Sequence, residues 1–261
     1  MALTPITKRL VPDDVFDQLL GEVVDGSLSA GDTLPSERRL SELLGVSRPA
    51  VREALQRMSA TRLVEVRHGG ATTVRDFQRY AGLDLLPRML VRDGELDPTV
   101  ARSIIEARFA IAPGVARMAA ERIGRADEHT RRALEEALGT LAAAGDPVAR
   151  QHAALAFWDA IVDIADSIVF RMMFNNLRLA YEPALEALAP LLDGEVSNLD
   201  GYREIRDAVV DGLGLAAQGA ATDLLRPATE AMVDFLDALQ DEPDEDEPAE
   251  DGPGKDEGEA R

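Results

Sequence analysis

Cysteine is absent from this chain, which excludes disulfides and thiolate metal sites. Histidine is scarce: only His68, His129 and His152 occur among 261 residues, and no two stand at a spacing that puts metal ligands on one helical face. No bound metal and no cofactor are expected. No run of 18 uncharged apolar residues exists, and the amino terminus lacks the apolar stretch of a signal peptide. The expectation is a soluble, cytoplasmic chain with no membrane partner. Catalytic groupings are missing too. There is no Ser-His-Asp or Cys-His set, no glycine-rich phosphate loop and no histidine placed for acid-base work beside a carboxylate, so an enzyme is not expected.

What is present is concentrated between Leu34 and Met58, LPSERRLSELLGVSRPAVREALQRM. Leu40, Leu43 and Leu44, then Val51, Ala54, Leu55 and Met58, recur at spacings of three and four, so two short helices each carry one buried stripe. Ser36 and Ser47 stand where N-caps belong, each able to accept from the unpaired N–H groups of the turn that follows. Pro49 falls in a first helical turn, which has no N–H bond to lose. Arg48 and Arg52 are four apart and leave one face at the start of the second helix. A recognition helix entering a DNA major groove amino-end first needs that placement, because arginine bonds guanine O6 and N7 in bidentate fashion. Arg38 and Arg39 on the preceding helix can reach phosphate or a base edge. Upstream, Val15, Phe16, Leu19, Leu20 and Val23 predict a third helix, and 26–35 its loop. Downstream, strand-like runs at 63–67 and 71–75 flank Gly69-Gly70, a tight hairpin signal. Three helices and a hairpin make a winged helix-turn-helix, with His68 and Gly69 at the wing tip.

Through GDTLPSERRLSELLGVSRPAVREAL and the later VRHGGATTV, residues 12–75 resemble the amino-terminal domain of GntR-family transcription regulators. The resemblance implies that Arg38, Arg48 and Arg52 contact double-stranded operator DNA, that His68 and Gly69 enter the minor groove, and that Ser47 touches phosphate.

The net charge of −20 is unevenly placed. Residues 1–75 hold ten basic and ten acidic side chains, 76–240 sixteen and twenty-seven, and 241–261 two and eleven. The DNA-reading part is therefore neutral, while the acidic remainder weakens non-specific attraction to DNA and leaves more to specific contacts. The tail DEPDEDEPAEDGPGKDEGEAR has no aliphatic side chain larger than alanine, and disorder is expected there.

Residues 80–240 predict an all-helical bundle. Helical periodicity runs through Ile104, Ile105, Arg108 and Ile111, and through Leu134, Ala137, Leu138 and Leu141, with breaks at Gly124, 145–147, Gly194 and Gly219, giving six or seven helices. Arg108 interrupts an apolar stripe, and a buried guanidinium needs an anionic partner, either a ligand or an acid such as Glu106, Glu121 or one across the bundle. IIEARFAIAPGVARMAAERIG, 104–124, resembles the start of the FCD effector domain that follows the winged helix in one GntR branch. That implies an antiparallel bundle around a ligand cavity. Many FCD domains bind a metal through one aspartate and three histidines. Here the matching positions hold Ala154, Trp158, Tyr202 and Ala228, so no metal is implied. HGGATTVRDF, GLDLL at 82–86, NNLRLAY ending at Tyr181, and Tyr202-Arg203 resemble instead the fatty-acid-responsive FadR branch, whose cavity carries tyrosines at the positions matching Tyr181 and Tyr202.

The sequence thus predicts a mainly α protein: a winged helix-turn-helix at 8–76, an all-helical effector-binding and dimerisation domain at 80–240, and an acidic tail at 241–261. The expected function is that of a homodimeric transcription regulator, a repressor of fatty-acid or lipid genes. Its effector site holds Arg108, Tyr181 and Tyr202 and takes acyl-CoA or another anionic effector. A small organic acid as effector, or a helical protein-interaction module, is the alternative.

Overall fold

The computed structural model describes residues 11–66, 71–92 and 94–241. His68 and Gly69 of the wing tip, and the acidic tail from 242 onward, lie outside the described residues.

Helix α1 (Val11–Val24) forms on the predicted stripe, burying Val15, Phe16, Leu19, Leu20 and Val23. Helix α2 (Glu37–Leu44) starts where the Ser36 side chain accepts from the Arg39 N–H, and α3 (Arg48–Ala60) where Ser47 accepts from the Ala50 N–H. Between them Gly45 takes a left-handed conformation, φ 66°, and its N–H returns to the Ser41 carbonyl. That geometry costs glycine nothing and other residues about 1–2 kcal/mol. The predicted α3 stripe is buried, but α2 departs from expectation. Leu40 is buried and Leu44 partly so, whereas Leu43 is 57% exposed. The seam against α3 runs along Leu40 and Leu44, and Leu43 sits on the far flank of that narrow line.

Strands β1 (Val64–Val66) and β2 (Thr72–Val74) pair antiparallel, with Val64 opposite Val74 and Val66 opposite Thr72. The segment expected to be only a loop joins this sheet: Thr33 bridges Thr73, and the Leu34 N–H donates to the Thr72 carbonyl at 2.8 Å. The hairpin is thereby fixed against the entry to α2. One apolar core, including Phe16, Leu20, Val51, Met58, Leu63 and Val74, ties the three helices to the sheet.

A short helix α4 (Phe77–Tyr80), a 3-10 turn at Leu83–Leu85, helix α5 (Leu86–Leu90) and a two-residue hairpin, β3 (Val91–Arg92) with β4 (Glu95–Leu96), lead into the bundle. Seven long helices follow: α6 (Pro98–Arg122), α7 (Glu128–Ala143), α8 (Pro147–Ile164), α9 (Ile168–Tyr181), α10 (Leu185–Val196), α11 (Leu199–Val210) and α12 (Gly214–Asp241). Asp97, Asp127, Asp146 and Asn198 cap four of them through their side chains. The breaks expected at Gly124 and 145–147 are present. Those expected at Gly194 and Gly219 are not, since both glycines lie inside helices, α10 and α12. An interior glycine costs about 1 kcal/mol, which packing offsets. The chain turns instead at Asp166, φ 45°, and Gly212, φ 72°, where a left-handed residue stops a helix.

Helix α8 is apolar almost all round and runs through the centre of the bundle, burying Phe157, Trp158, Ile161 and Ile164 among others. The Phe157 ring meets Tyr202 edge-on at 5.0 Å. Helix α9 is the exception in this packing. It buries only Ala180, while Ile168, Val169, Met172 and Leu179 are exposed.

Candidate nucleic-acid interface and buried cavity

The amino end of α3 is presented by its cap. With Ser47 holding the Ala50 N–H at 3.4 Å, the first turn projects Arg48 and Arg52 outward from a fixed backbone. Arg48 is exposed and makes no hydrogen bond or ion pair among the described residues. Arg52 is also exposed, yet its Nε donates to Glu37 Oε1 at 3.0 Å and its Nη2 to Glu37 Oε2 at 2.6 Å. The hydrogen bonds from Arg52 hold the Glu37 carboxyl below the usual glutamate range. This bidentate pair spans α2 and α3. Arg38 pairs along α2 with Glu42 at 2.7 Å and stays largely in solvent. Ser47, Arg48 and Arg52 stand at the amino end of α3, and the Arg52–Glu37 pair brings the amino end of α2, with Arg38, alongside, while His68 and Gly69 lie outside the described residues.

The bundle holds a partly open cavity of about 120 Å³ between α6, α8, α9 and α10. Ile104, Ile105, Ile111, Leu155, Val162, Phe170, Met173, Phe174, Leu177 and Leu192 make it overwhelmingly apolar. The sequence-predicted Arg108 and Tyr181 line it. Tyr202 does not. It is buried behind Glu195, its hydroxyl donating to Glu195 Oε1 at 3.2 Å, because α11 packs that face into the core with Phe157.

Arg108 finds its anion inside the protein. Its Nη1 donates to Glu195 Oε2 at 2.9 Å and its Nη2 to Glu195 Oε1, so the partner is the acid across the bundle and neither Glu106 nor Glu121. Burial works against the guanidinium charge, but the Glu195 carboxylate outweighs it and raises its pKa further. Burial likewise pushes the Tyr181 phenol upward, so it remains a donor, and its hydroxyl gives a 2.6 Å hydrogen bond to Gln151 Oε1. Sequence reasoning missed Glu37, Gln151 and Glu195. Glu195 is 87 residues from Arg108 and Gln151 is 30 from Tyr181, and no periodicity links such pairs. A signal did exist in each case, a charged or polar residue interrupting an apolar helix face. Among the described residues no group of three or more His, Cys, Asp or Glu side chains is placed to hold a metal. No helix among them is long and apolar enough to cross a membrane.

Residues 12–74 match the bacterial regulatory proteins of the gntR family, and residues 103–227 match the FCD domain. The chain belongs to the GntR family. It is a transcription regulator of the FCD type, and such proteins are DNA-binding regulators rather than enzymes. It is 51% identical over 233 residues to the HTH-type transcriptional regulator Mce2R of Mycobacterium tuberculosis, covering 89% of this chain and 96% of that protein. A fatty acid metabolism regulator protein of Vibrio cholerae is 34% identical over 95 residues, 36% of this chain and 34% of that one. Lar, which controls the expression of the Listeria monocytogenes agr system, shares the fold with a TM-score of 0.55 at 13% identity, covering 88% of this chain and all of that one.

Proposed function

We propose that this GntR-family regulator is a homodimeric repressor of fatty-acid or lipid genes, released from an inverted-repeat operator when an acyl-CoA-type effector occupies the bundle cavity. Its working parts are a winged helix at 8–76, an effector-binding and dimerisation unit at 80–240 and an acidic tail at 241–261. Arg48 and Arg52 read guanines from the major groove, Arg38 and Ser47 hold phosphate, and His68 and Gly69 enter the minor groove. Two-fold symmetry of the protein demands two half-sites.

The observation that carries the ligand assignment is the cavity wall. It is apolar nearly throughout, and its two arginines, Arg108 and Arg178, are already paired with Glu195 and Glu182. A small di- or tricarboxylic acid needs uncompensated positive charge, which this wall does not offer; an acyl chain needs apolar surface, which it does. At about 120 Å³ the cavity is near the size that admits benzene, about 150 Å³ in a well-studied case. A short acyl segment fits directly, and a longer one extends through the cavity's opening or displaces a wall.

Helix α9 is the wall best able to move, since only Ala180 anchors it as a buried residue. It packs on α5, whose Leu90 shares a core with Ala180. Arg88 of α5 in turn grips Asp17 and Asp13 of α1, and Asp13 also holds Arg57 of α3. An effector that displaces α9 is thus connected to the recognition helix by packed groups, provided it binds the released geometry more tightly than the DNA-bound one.

The test is fluorescence anisotropy of the chain's own upstream intergenic DNA, with and without long-chain acyl-CoA at fixed salt. Release by acyl-CoA but not by free CoA supports the reading. Tight binding that ignores acyl-CoA and yields to small carboxylates overturns the effector assignment while leaving the regulator intact.

A further inference from the structure

The segment that joins the winged helix to the bundle is shared between two cores. Leu85 is buried in the core of the winged helix with Phe77 and Met89 packed against it, while Leu90 is buried with Ala101, Ala180 and Met232 of the bundle. Apolar contact of this kind holds surfaces together without fixing their angle, because it follows area and has no direction. Direction comes from two arginines of the same segment. Arg88 donates to Asp17 at 2.5 Å and to Asp13 at 3.1 Å, in the amino half of α1. Arg92 donates through Nη1 to Asp25, just past the carboxyl end of α1, at 2.6 Å, and through Nη2 to Asp97 at 2.9 Å. Asp97 is the cap of α6, where its other oxygen accepts the Val100 N–H at 3.0 Å. One carboxylate thus both starts the cavity-wall helix and receives a strut from α1. The pairing of Arg92 with Glu95 in the β3–β4 hairpin holds the backbone from which that strut extends.

The two anchors, Asp17 and Asp25, stand about 12 Å apart along α1 at 1.5 Å per residue. One anchor leaves the head free to swing, whereas two separated ones define a line and remove most of that freedom. Between them a polar groove lined by Gln18, Gly21 and Glu22 of α1 and Pro87 of α5 separates the two elements. The angle is therefore set by the anchors and not by a continuous interface. That angle matters on DNA, because each base pair added between half-sites moves them about 3.4 Å apart and turns one about 35° around the duplex. We propose that Arg92 is a positioning residue for operator recognition, acting with Arg88 as a two-point ionic clasp that fixes the angle of the head on the bundle and with it the half-site spacing the dimer accepts. This rests on the reading of the protein as a dimer on two half-sites, and it names the residue that sets their separation.

Full-length protein is titrated by anisotropy at fixed salt on the operator from its own upstream intergenic DNA, and on versions with one or two base pairs inserted between the half-sites. The wild type is expected to prefer the native spacing by at least about tenfold, since a mis-spaced site engages only one head in register. Arg92→Gln breaks two partly exposed ion pairs, each worth a factor of about 1.5 to 5. Across the two joints of a dimer the spacing preference should fall at least about threefold, while affinity for the native operator changes less than about threefold. Asp25→Asn, which leaves the α6 cap intact, should lower the preference in the same direction. Arg79→Ala removes an equal charge from the same segment, from a side chain that is 76% exposed, and should leave the preference within about twofold. Wild-type spacing preference in Arg92→Gln, or an equal loss in Arg79→Ala, overturns the proposal. A wild type indifferent to spacing overturns instead the two-half-site reading beneath it. A second measurement needs no DNA. The chain has no cysteine, so spin labels at Ala60→Cys on α3 and Ala142→Cys on α7, both exposed, report the head-to-bundle distance by double electron–electron resonance. Labelled chains are diluted into unlabelled ones so that each pair lies within one protomer. Arg92→Gln and Asp25→Asn are expected to broaden the distance distribution, and equal widths in wild type and both variants overturn the clasp whatever the DNA shows.

Discussion

Substitution of Glu37 tests whether Arg52 reads DNA as a positioned group or as a free one. Arginine has five N–H donors. Glu37 takes the Nε hydrogen and one on Nη2, through bonds of 3.0 and 2.6 Å. Both hydrogens of Nη1 and the second of Nη2 remain, and that fork is the one that fits guanine O6 and N7. Glu37 thus steadies Arg52 without using the edge that faces a base. The pair is solvent-exposed, 57% on the arginine side and 31% on the glutamate side, so its worth is about 0.2–1 kcal/mol. Glu37→Gln should therefore weaken operator binding by about 1.5- to 5-fold. The same change removes a negative charge beside the DNA backbone, so binding to random DNA should tighten. The readout is the ratio of operator to random-sequence affinity, measured by anisotropy at one fixed salt. Arg52→Ala should cost about 1–3 kcal/mol on operator and less than half that on random DNA. In the double substitution the operator-specific loss should vanish, leaving the same tightening seen on random DNA, because there is no arginine left to steady. A selectivity ratio that stays constant or rises in Glu37→Gln would falsify the positioning argument and make Glu37 a competitor that Arg52 must leave before it can bind DNA.

Because the folded Glu37 carboxyl titrates below its ordinary range, the pair's contribution is complete above the unfolded glutamate pKa of about 4.3 and is lost only as pH falls through the depressed value. Operator selectivity should accordingly stay flat from about pH 8 down to that range, and a decline near pH 6 would point to a different group. Breaking the buried pair in the cavity wall by Arg108→Met or Glu195→Gln should cost about 3–5 kcal/mol in urea unfolding, whereas replacing both with apolar residues should lie closer to wild type; equal losses for single and double variants would show that the pair is not coupled. Gly45→Ala meets open space but a φ of 66°, so about 1–2 kcal/mol should disappear from thermal stability, and an unchanged melting temperature would mean that the turn relaxes. Arg88→Ala, which cuts the contact from α5 to Asp13 and Asp17, should leave separate DNA and effector affinities within about threefold while reducing effector-driven release. Release at wild-type efficiency would remove Arg88 from the coupling.

The amino-terminal fold was legible because its determinants are local. Ser36 and Ser47 cap within three residues, and the α3 stripe recurs within two turns. Leu43 was misplaced because periodicity assigns a face but not the width of the seam it meets. The helix count of the bundle was legible from the same periodicity, and its boundaries were not. Gly194 and Gly219 resemble breaks in one dimension, but packing on the core holds both inside helices, while Asp166 supplies a turn that its residue type does not advertise. The cavity was half legible. Arg108 was marked by its place in an apolar stripe, but which anion it meets depends on how α6 docks against α10.

That docking changes the chemistry expected of the ligand. An arginine alone in an apolar stripe calls for an anion from outside, and the sequence leaves open whether one comes. With Glu195 across from it, the pair is neutral as a whole, and its attraction for a further anion is reduced to that of a dipole.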